Sequence, residues 1–225
     1  MNLQICVPYQ KCKYNCPMCV AKGHTHQYKF YDMYHSNKFL YLWGLKLFQS
    51  QVSGNFIITG ECDPTQDMEF VTTVAKHLND KSRVEIQTKN YNIDIDLIKD
   101  YIGTLAYSIT NFKEYVNARK LKKIPGINRL VILLTKEFDC LNVENFKDFG
   151  FDQITFKVLQ YGEDPKVNEW IDKNRLENLD NIYEIVRVYA NKKCSVRVDL
   201  SCQNAEGRYL ILRSDGRIYH SWEEV

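Results

Sequence analysis

Apolar positions along the chain follow two alternating periods. Short, nearly continuous apolar runs occur at "LQICVPY", "NFIITG", "RVEIQT", "TLAYSIT", "RLVILLT" and "QITFKVLQ". They are rich in β-branched and aromatic residues, which predicts six strands. Between them the spacing turns helical. Val71, Val74, Ala75 and Leu78 share one helical face, and Ile95, Ile98 and Tyr101 do so more briefly. Longer helical patterns run from Met33 to Phe48 and from Leu176 to Ala190, the latter with Leu179, Ile182, Tyr183 and Val186 on one side. Strands separated by helices argue for successive βαβ units in an α/β fold, and continuous apolar strands argue for a parallel sheet covered on both faces. Six such units suit a partial barrel better than a flat open sheet.

The last thirty residues change pattern. "SVRVDLSC" and "RYLILRSDGRIYHSW" alternate polar and apolar residues, and "SDG" has the chemistry of a tight turn. A short antiparallel β-hairpin extension is therefore predicted at the C-terminus, packing on the main body. The expected division is a core over residues 1–193 and the extension over 194–225.

Composition narrows the function classes. The 225 residues are 44% hydrophobic and 26% charged, the balance of an ordinary globular chain. A net charge of +2 offers no basic stripe for nucleic acid. No run approaches the roughly 20 apolar residues of a membrane span, and "MNLQICVPYQ" lacks the layout of a signal peptide. The expectation is a cytoplasmic protein, whose thiols stay reduced and whose clustered cysteines serve metal or catalysis rather than disulfides.

Such a cluster follows the first strand. In "KCKYNCPMCVAKGHTH", Cys12, Cys16 and Cys19 are spaced Cys-x3-Cys-x2-Cys. With eight cysteines in 225 residues, chance gives this pattern in roughly one such chain in a hundred. Thiolates this close on a loop can converge on one metal centre, and soft sulfur suits zinc or iron–sulfur clusters. Spacing leaves both open: Cys12, Cys16, Cys19 and His24 could close around a structural zinc, or the three cysteines could hold a [4Fe-4S] cluster with one iron free. After the second strand comes "FIITGECDPTQD", where Gly60 permits close backbone approach and Glu61 can pair with an ammonium group. In a barrel, ligands bind at the carboxyl ends of the strands, where both motifs lie.

These residues resemble the radical S-adenosylmethionine superfamily. Cys12, Cys16 and Cys19 match its three-cysteine signature, and Thr59, Gly60 and Glu61 match its Gly-Gly-Glu motif with threonine for the first glycine. The resemblance implies a partial (β/α)6 TIM-like barrel, a [4Fe-4S] cluster on the three cysteines, and S-adenosylmethionine as second cofactor. It implies that Gly60 and Glu61 contact the methionine amino group and that Ser108 contacts the ribose. Thr88 and Asn90 take a similar rim position, and Lys157, Leu159 and Gln160 lie near the adenine edge. Met18 stands where the family usually has an aromatic residue against adenine. Flavodoxin or ferredoxin is the implied electron donor.

Other residues carry blander expectations. Cys62, directly after Glu61, reads as a small buried residue in a tight turn, and Cys6, Cys140, Cys194 and Cys202 as buried free thiols. His24 and His26 read as loop residues and His35 and His77 as surface ones, while His220 could face solvent or the barrel mouth. The basic run Arg119, Lys120, Lys122 and Lys123 reads as a solvated helix end. A small polar or nucleotide-like substrate fits a hairpin-closed mouth better than a peptide or protein chain does. The non-enzyme alternative is a zinc-stabilised α/β binding module.

Overall fold

All six predicted strands form. They are β1 (Asn2–Val7), β2 (Phe56–Gly60), β3 (Val84–Thr88), β4 (Thr104–Ile109), β5 (Ile127–Leu134) and β6 (Gln153–Val158). The computed structural model describes residues 1–8, 11–14, 16, 31–60, 62–134, 150–158, 182–189, 192–199 and 209–220. For 134, 157, 158, 182–189 and 192–199 the description is of the backbone alone.

The chain divides into two compact units. The first comprises Met1–Leu105, Ile124–Gly126 and Ala205–Val225, the second Ala106–Lys123 and Ile127–Asn204. In the first, β1 lies between β2 and β9 (Tyr209–Leu212), pairing parallel with both, and β2 pairs parallel with β3. The strand β10 (Ile218–Tyr219) closes that edge antiparallel to β9. In the second, β5, β6 and β8 (Lys192–Asp199) are parallel neighbours, and β7 (Ile182–Tyr189) is antiparallel to β8. The protein is thus α/β with mostly parallel strands. β9 and β10 form the antiparallel hairpin that the alternating pattern predicts around its tight turn, β7 forms another with β8, and β8 and β9 also lie parallel to β6 and β1.

The core of the first unit follows from the apolar runs. Leu3, Ile5, Phe56, Ile58, Val84 and Ile86 are fully buried. The helices α1 (Met33–Ser36), α2 (Lys38–Gln49) and α3 (Met68–Leu78) contribute Tyr34, Tyr41, Leu45, Phe70, Val71, Val74, Ala75 and Leu78 to the buried side. Tyr34 meets Tyr41 and Phe70 edge-on, with ring centroids 5.6 and 4.7 Å away, the geometry the ring quadrupoles favour. Helix α3 bears out its predicted apolar face. Asp67 caps its start by accepting from the Phe70 N–H at 2.9 Å, and Asn79 ends it in the left-handed conformation at φ 49°.

Three helical expectations change. The stretch from Met33 to Phe48 is two helices, because Asn37 leaves helical geometry (φ −150°) and its side chain accepts from the Leu40 N–H at 3.1 Å. A side-chain cap competes here with continued helix. The region of Ile95 to Tyr101 shortens to one 3-10 turn, Ile95–Leu97, opened by the Asp94 side chain. The pattern from Leu176 to Ala190 gives strand β7 over Ile182–Tyr189, the other residues lying outside the described ones. Ile182, Ile185, Val186 and Val188 are β-branched, and all eight residues register against β8 from Ile182↔Asp199 to Tyr189↔Lys192. Pairing and β-branching prevail over a helical spacing that four apolar positions also satisfy.

The C-terminal turn is built as its residues require. Gly216 has φ +78° and donates its N–H to the Arg213 carbonyl at 3.0 Å, while Asp215 accepts from the Arg217 N–H at 3.0 Å and the Tyr219 hydroxyl at 2.7 Å. Among the described residues no helix is long and apolar enough to cross a membrane.

Candidate functional site

Parallel pairing brings two chain turns to one edge of the first unit. Val7 registers with Gly60, so β1 and β2 end side by side. Gly60 is needed there for the sheet itself. Its φ is +145°, and a Cβ would sit 3.0 Å from the Cys6 Cα and the Val7 nitrogen. The missing side chain admits the backbone of β1, and this turn takes no residue but glycine without strain.

Beyond β2 the chain enters a 3-10 turn, Pro64–Gln66, with Asp63 as its cap and proline at its first position. Asp63 is buried and accepts from four donors. Its Oδ1 takes the Thr65 N–H at 3.0 Å and the Thr65 hydroxyl at 2.6 Å; its Oδ2 takes the Lys89 N–H at 2.6 Å. The Thr88 hydroxyl lies 2.8 and 2.9 Å from the two oxygens. One carboxylate therefore ties the end of β2 to the end of β3. The Asn90 N–H continues the chain of contacts by donating to the Thr88 hydroxyl at 2.8 Å.

The cysteine loop is fastened to the same 3-10 turn. The Gln66 Oε1 accepts from the Lys13 N–H at 2.8 Å, and its Nε2 donates to the Lys11 carbonyl at 3.1 Å. One side-chain amide thus satisfies the backbone on both sides of Cys12. The buried Cys62 thiol adds a second link, 3.7 Å from the Pro8 carbonyl. Buried as expected for a turn residue, Cys62 points back at the strand that leads into the loop.

Cys12 and Cys16 are half-buried and in no disulfide. Tyr14 lies between them in sequence, and its hydroxyl pKa is pushed up to about 12 by burial, then by Asp63, Cys12 and Cys16. Both thiols and the Asp63 carboxylate are therefore within electrostatic reach of one phenol. The Lys13 ammonium stands 5.1 Å from the Tyr14 ring centroid. Reduced, partly accessible thiols on a loop tethered at strand ends are a donor set that fits a soft metal or an iron–sulfur cluster.

The other predicted residues divide. Met18, Cys19, Glu61, Leu159 and Gln160, with His24 and His26, lie outside the described residues. Ser108 is half-buried on β4, and Lys157 is on β6, registered between Leu133 and Asp199. Both belong to the second unit, whereas Gly60, Cys12 and Cys16 belong to the first.

His220, Arg119, Lys120 and Lys122 are exposed, and Cys6 is buried. His77 departs from its surface expectation: it is half-buried on α3, and burial lowers its pKa. Cys140 and Cys202 lie outside the described residues, and Cys194 is described by its backbone alone.

Sequence reading missed Asp63, Gln66 and Tyr14. Asp63 carried a signal, an Asp-Pro pair of the kind that opens a helical turn. Gln66 carried none, because its partners are more than fifty residues away. Compared with known proteins, the chain matches no family model, and no curated protein sequence matches it significantly.

Proposed function

We propose that this chain is a radical S-adenosylmethionine enzyme. The observation that carries the reading is the Gln66 clamp, because it joins the Cys-x3-Cys-x2-Cys loop to the turn following Thr59-Gly60-Glu61. A structural zinc knuckle has no need of that junction; a cofactor spanning both motifs does. On this reading Cys12, Cys16 and Cys19 hold three irons of a [4Fe-4S] cluster, and the strands close further into a partial (β/α)6 barrel.

When bound, the cluster supplies one electron to S-adenosylmethionine, whose reductive cleavage gives a 5′-deoxyadenosyl radical able to take a hydrogen atom from substrate. The protein's own part is positioning. Gly60 and Glu61 receive the methionine ammonium, Ser108 the ribose, and Met18, Lys157 and Leu159 the adenine. Asp63 and Gln66 are positioning residues that hold the two loops in register. The substrate is small and polar or nucleotide-like, and the electron donor is a flavodoxin or ferredoxin of a reducing cytoplasm.

Protein purified without oxygen tests this directly. Iron, sulfide and zinc are measured, then dithionite and S-adenosylmethionine are added and 5′-deoxyadenosine is assayed. About four irons per chain with nucleoside release, both lost in Cys16→Ala, are expected. One zinc and no cleavage would make the loop a structural staple of a binding module.

A further inference from the structure

A second group of metal-ligating side chains in the first unit includes Asp67, directly after Gln66, and contains no cysteine. His35 on α1, with Asp67 and Glu69 at the start of α3, offer one ligand atom each, all within 4.8 Å of one another. Asp32 caps α1 and holds the His35 ring through a 2.7 Å contact between its Oδ2 and Nδ1. That contact directs Nε2 toward Asp67, whose Oδ2 lies 3.5 Å away.

Asp67 is the telling residue. It is nine-tenths buried; its Oδ1 caps α3, but its Oδ2 has no hydrogen-bond partner. A buried carboxylate oxygen left so is costly unless something cationic sits against it. The His35 ring at 3.5 Å is too far for a good hydrogen bond. It is close to the separation of two ligands on one metal, roughly 3.3 Å for tetrahedral bonds of about 2 Å.

We propose that His35 Nε2, Asp67 Oδ2 and a Glu69 carboxylate oxygen form a site for one divalent first-row cation. One imidazole and two carboxylates suit ions of the manganese, iron or zinc kind. Asp32 is the outer partner that fixes the ring tautomer, as carboxylates do behind many metal-bound histidines. Among the described residues, the carboxylates of Asp32 and Asp67 pair with the His35 ring when it is protonated, and that of Glu69 pairs with Lys38. Glu69 also accepts from the Tyr34 hydroxyl at 2.8 Å. The Lys38–Glu69 pair is solvent-exposed, with side-chain exposures of 46% and 60%, so the metal displaces Lys38 at little cost.

The test is titration of the full chain with Mn2+, following loss of the free-ion signal by electron paramagnetic resonance. Manganese is a hard ion that cysteine thiolates take poorly, so the readout is separate from the cysteine loop and from any S-adenosylmethionine chemistry. Stoichiometric binding is expected, displaced by Zn2+. His35→Gln and Asp67→Asn are each expected to weaken it tenfold or more, as is Asp32→Asn acting through the ring. Asp67→Asn keeps the cap oxygen, and His35→Gln alters an exposed helix residue, so circular dichroism is expected to show both folded. A free-ion signal undiminished at millimolar Mn2+, or equal binding by His35→Gln and the unaltered chain, would overturn the site.

Discussion

Asp63 and Asp67 stand four residues apart at the two ends of one 3-10 turn, both buried, and their surroundings differ sharply. Asp63 collects four donors from Thr65, Thr88 and Lys89, so both its oxygens are satisfied inside the protein. Asp67 uses one oxygen as a helix cap and leaves the other without a hydrogen bond, facing His35. Burial alone does not tell a structural carboxylate from a ligand. Donor count does: a satisfied carboxylate holds strands together, and an unsatisfied one awaits a cation.

The same chemical change at the two positions tests that contrast. Asp63→Asn sets an amide against the Thr65 and Lys89 N–H groups, which can only donate, and is expected to cost about 3 kcal/mol in urea denaturation. A loss below about 1 kcal/mol would mean the network matters less than its geometry suggests.

Next in size is Gly60→Ala, which places a Cβ against the backbone of β1 at positive φ. About 2 kcal/mol of destabilisation is expected by the same method. An unchanged denaturation midpoint would show that β1 can move aside.

Gln66→Ala removes the clamp around Cys12 without touching the core. Hydrogen exchange at the Lys13 amide is expected to quicken about tenfold, with roughly 1 kcal/mol lost overall. Unchanged exchange would remove the observation that joins the two motifs.

Asp67→Asn, by contrast, keeps the cap and ends no hydrogen bond. Without added metal its denaturation midpoint should stay within about 0.5 kcal/mol of the unaltered chain. A large loss would make Asp67 a second Asp63.

The smallest effect is in alkaline solution. The Tyr14 hydroxyl titrates at about 12 when folded against 10 ordinarily. Between those values the unfolded chain releases this proton while the folded chain retains it, so stability falls as pH rises through the window. Tyr14→Phe should lose stability less steeply from pH 10 to 12, as read by denaturation midpoints at each pH. Equal slopes would mean that the Tyr14 hydroxyl is not buried beside Asp63 and the thiols.

The strands of this protein were legible in its sequence because a strand buried on both faces writes itself as a local apolar run. "NFIITG" becomes β2 and "RVEIQT" becomes β3 within a residue of the predicted ends. The cysteine spacing was equally plain, since three thiols in eight residues are a local feature. Less local matters were not readable. One long helix reads the same as two until Asn37 turns its side chain to the Leu40 N–H. The apolar positions of 182–189 satisfy both periods, and only the register with β8 selects the strand.

Residue pattern by itself determined which segments are apolar, where turns fall and which chemistry-bearing residues lie on one loop. These are short-range choices, made by backbone sterics and side-chain polarity among neighbours. Tertiary structure alone decided that β9 pairs parallel with β1 across some two hundred residues, that Gln66 grips the backbone around Cys12, and that His35 faces Asp67. Such contacts form only when distant segments meet, and an exposed polar residue carries no mark of the partner it will find. Asp63 and Asp67 are the same residue type in the same turn, and the fold gave one four donors and the other a histidine.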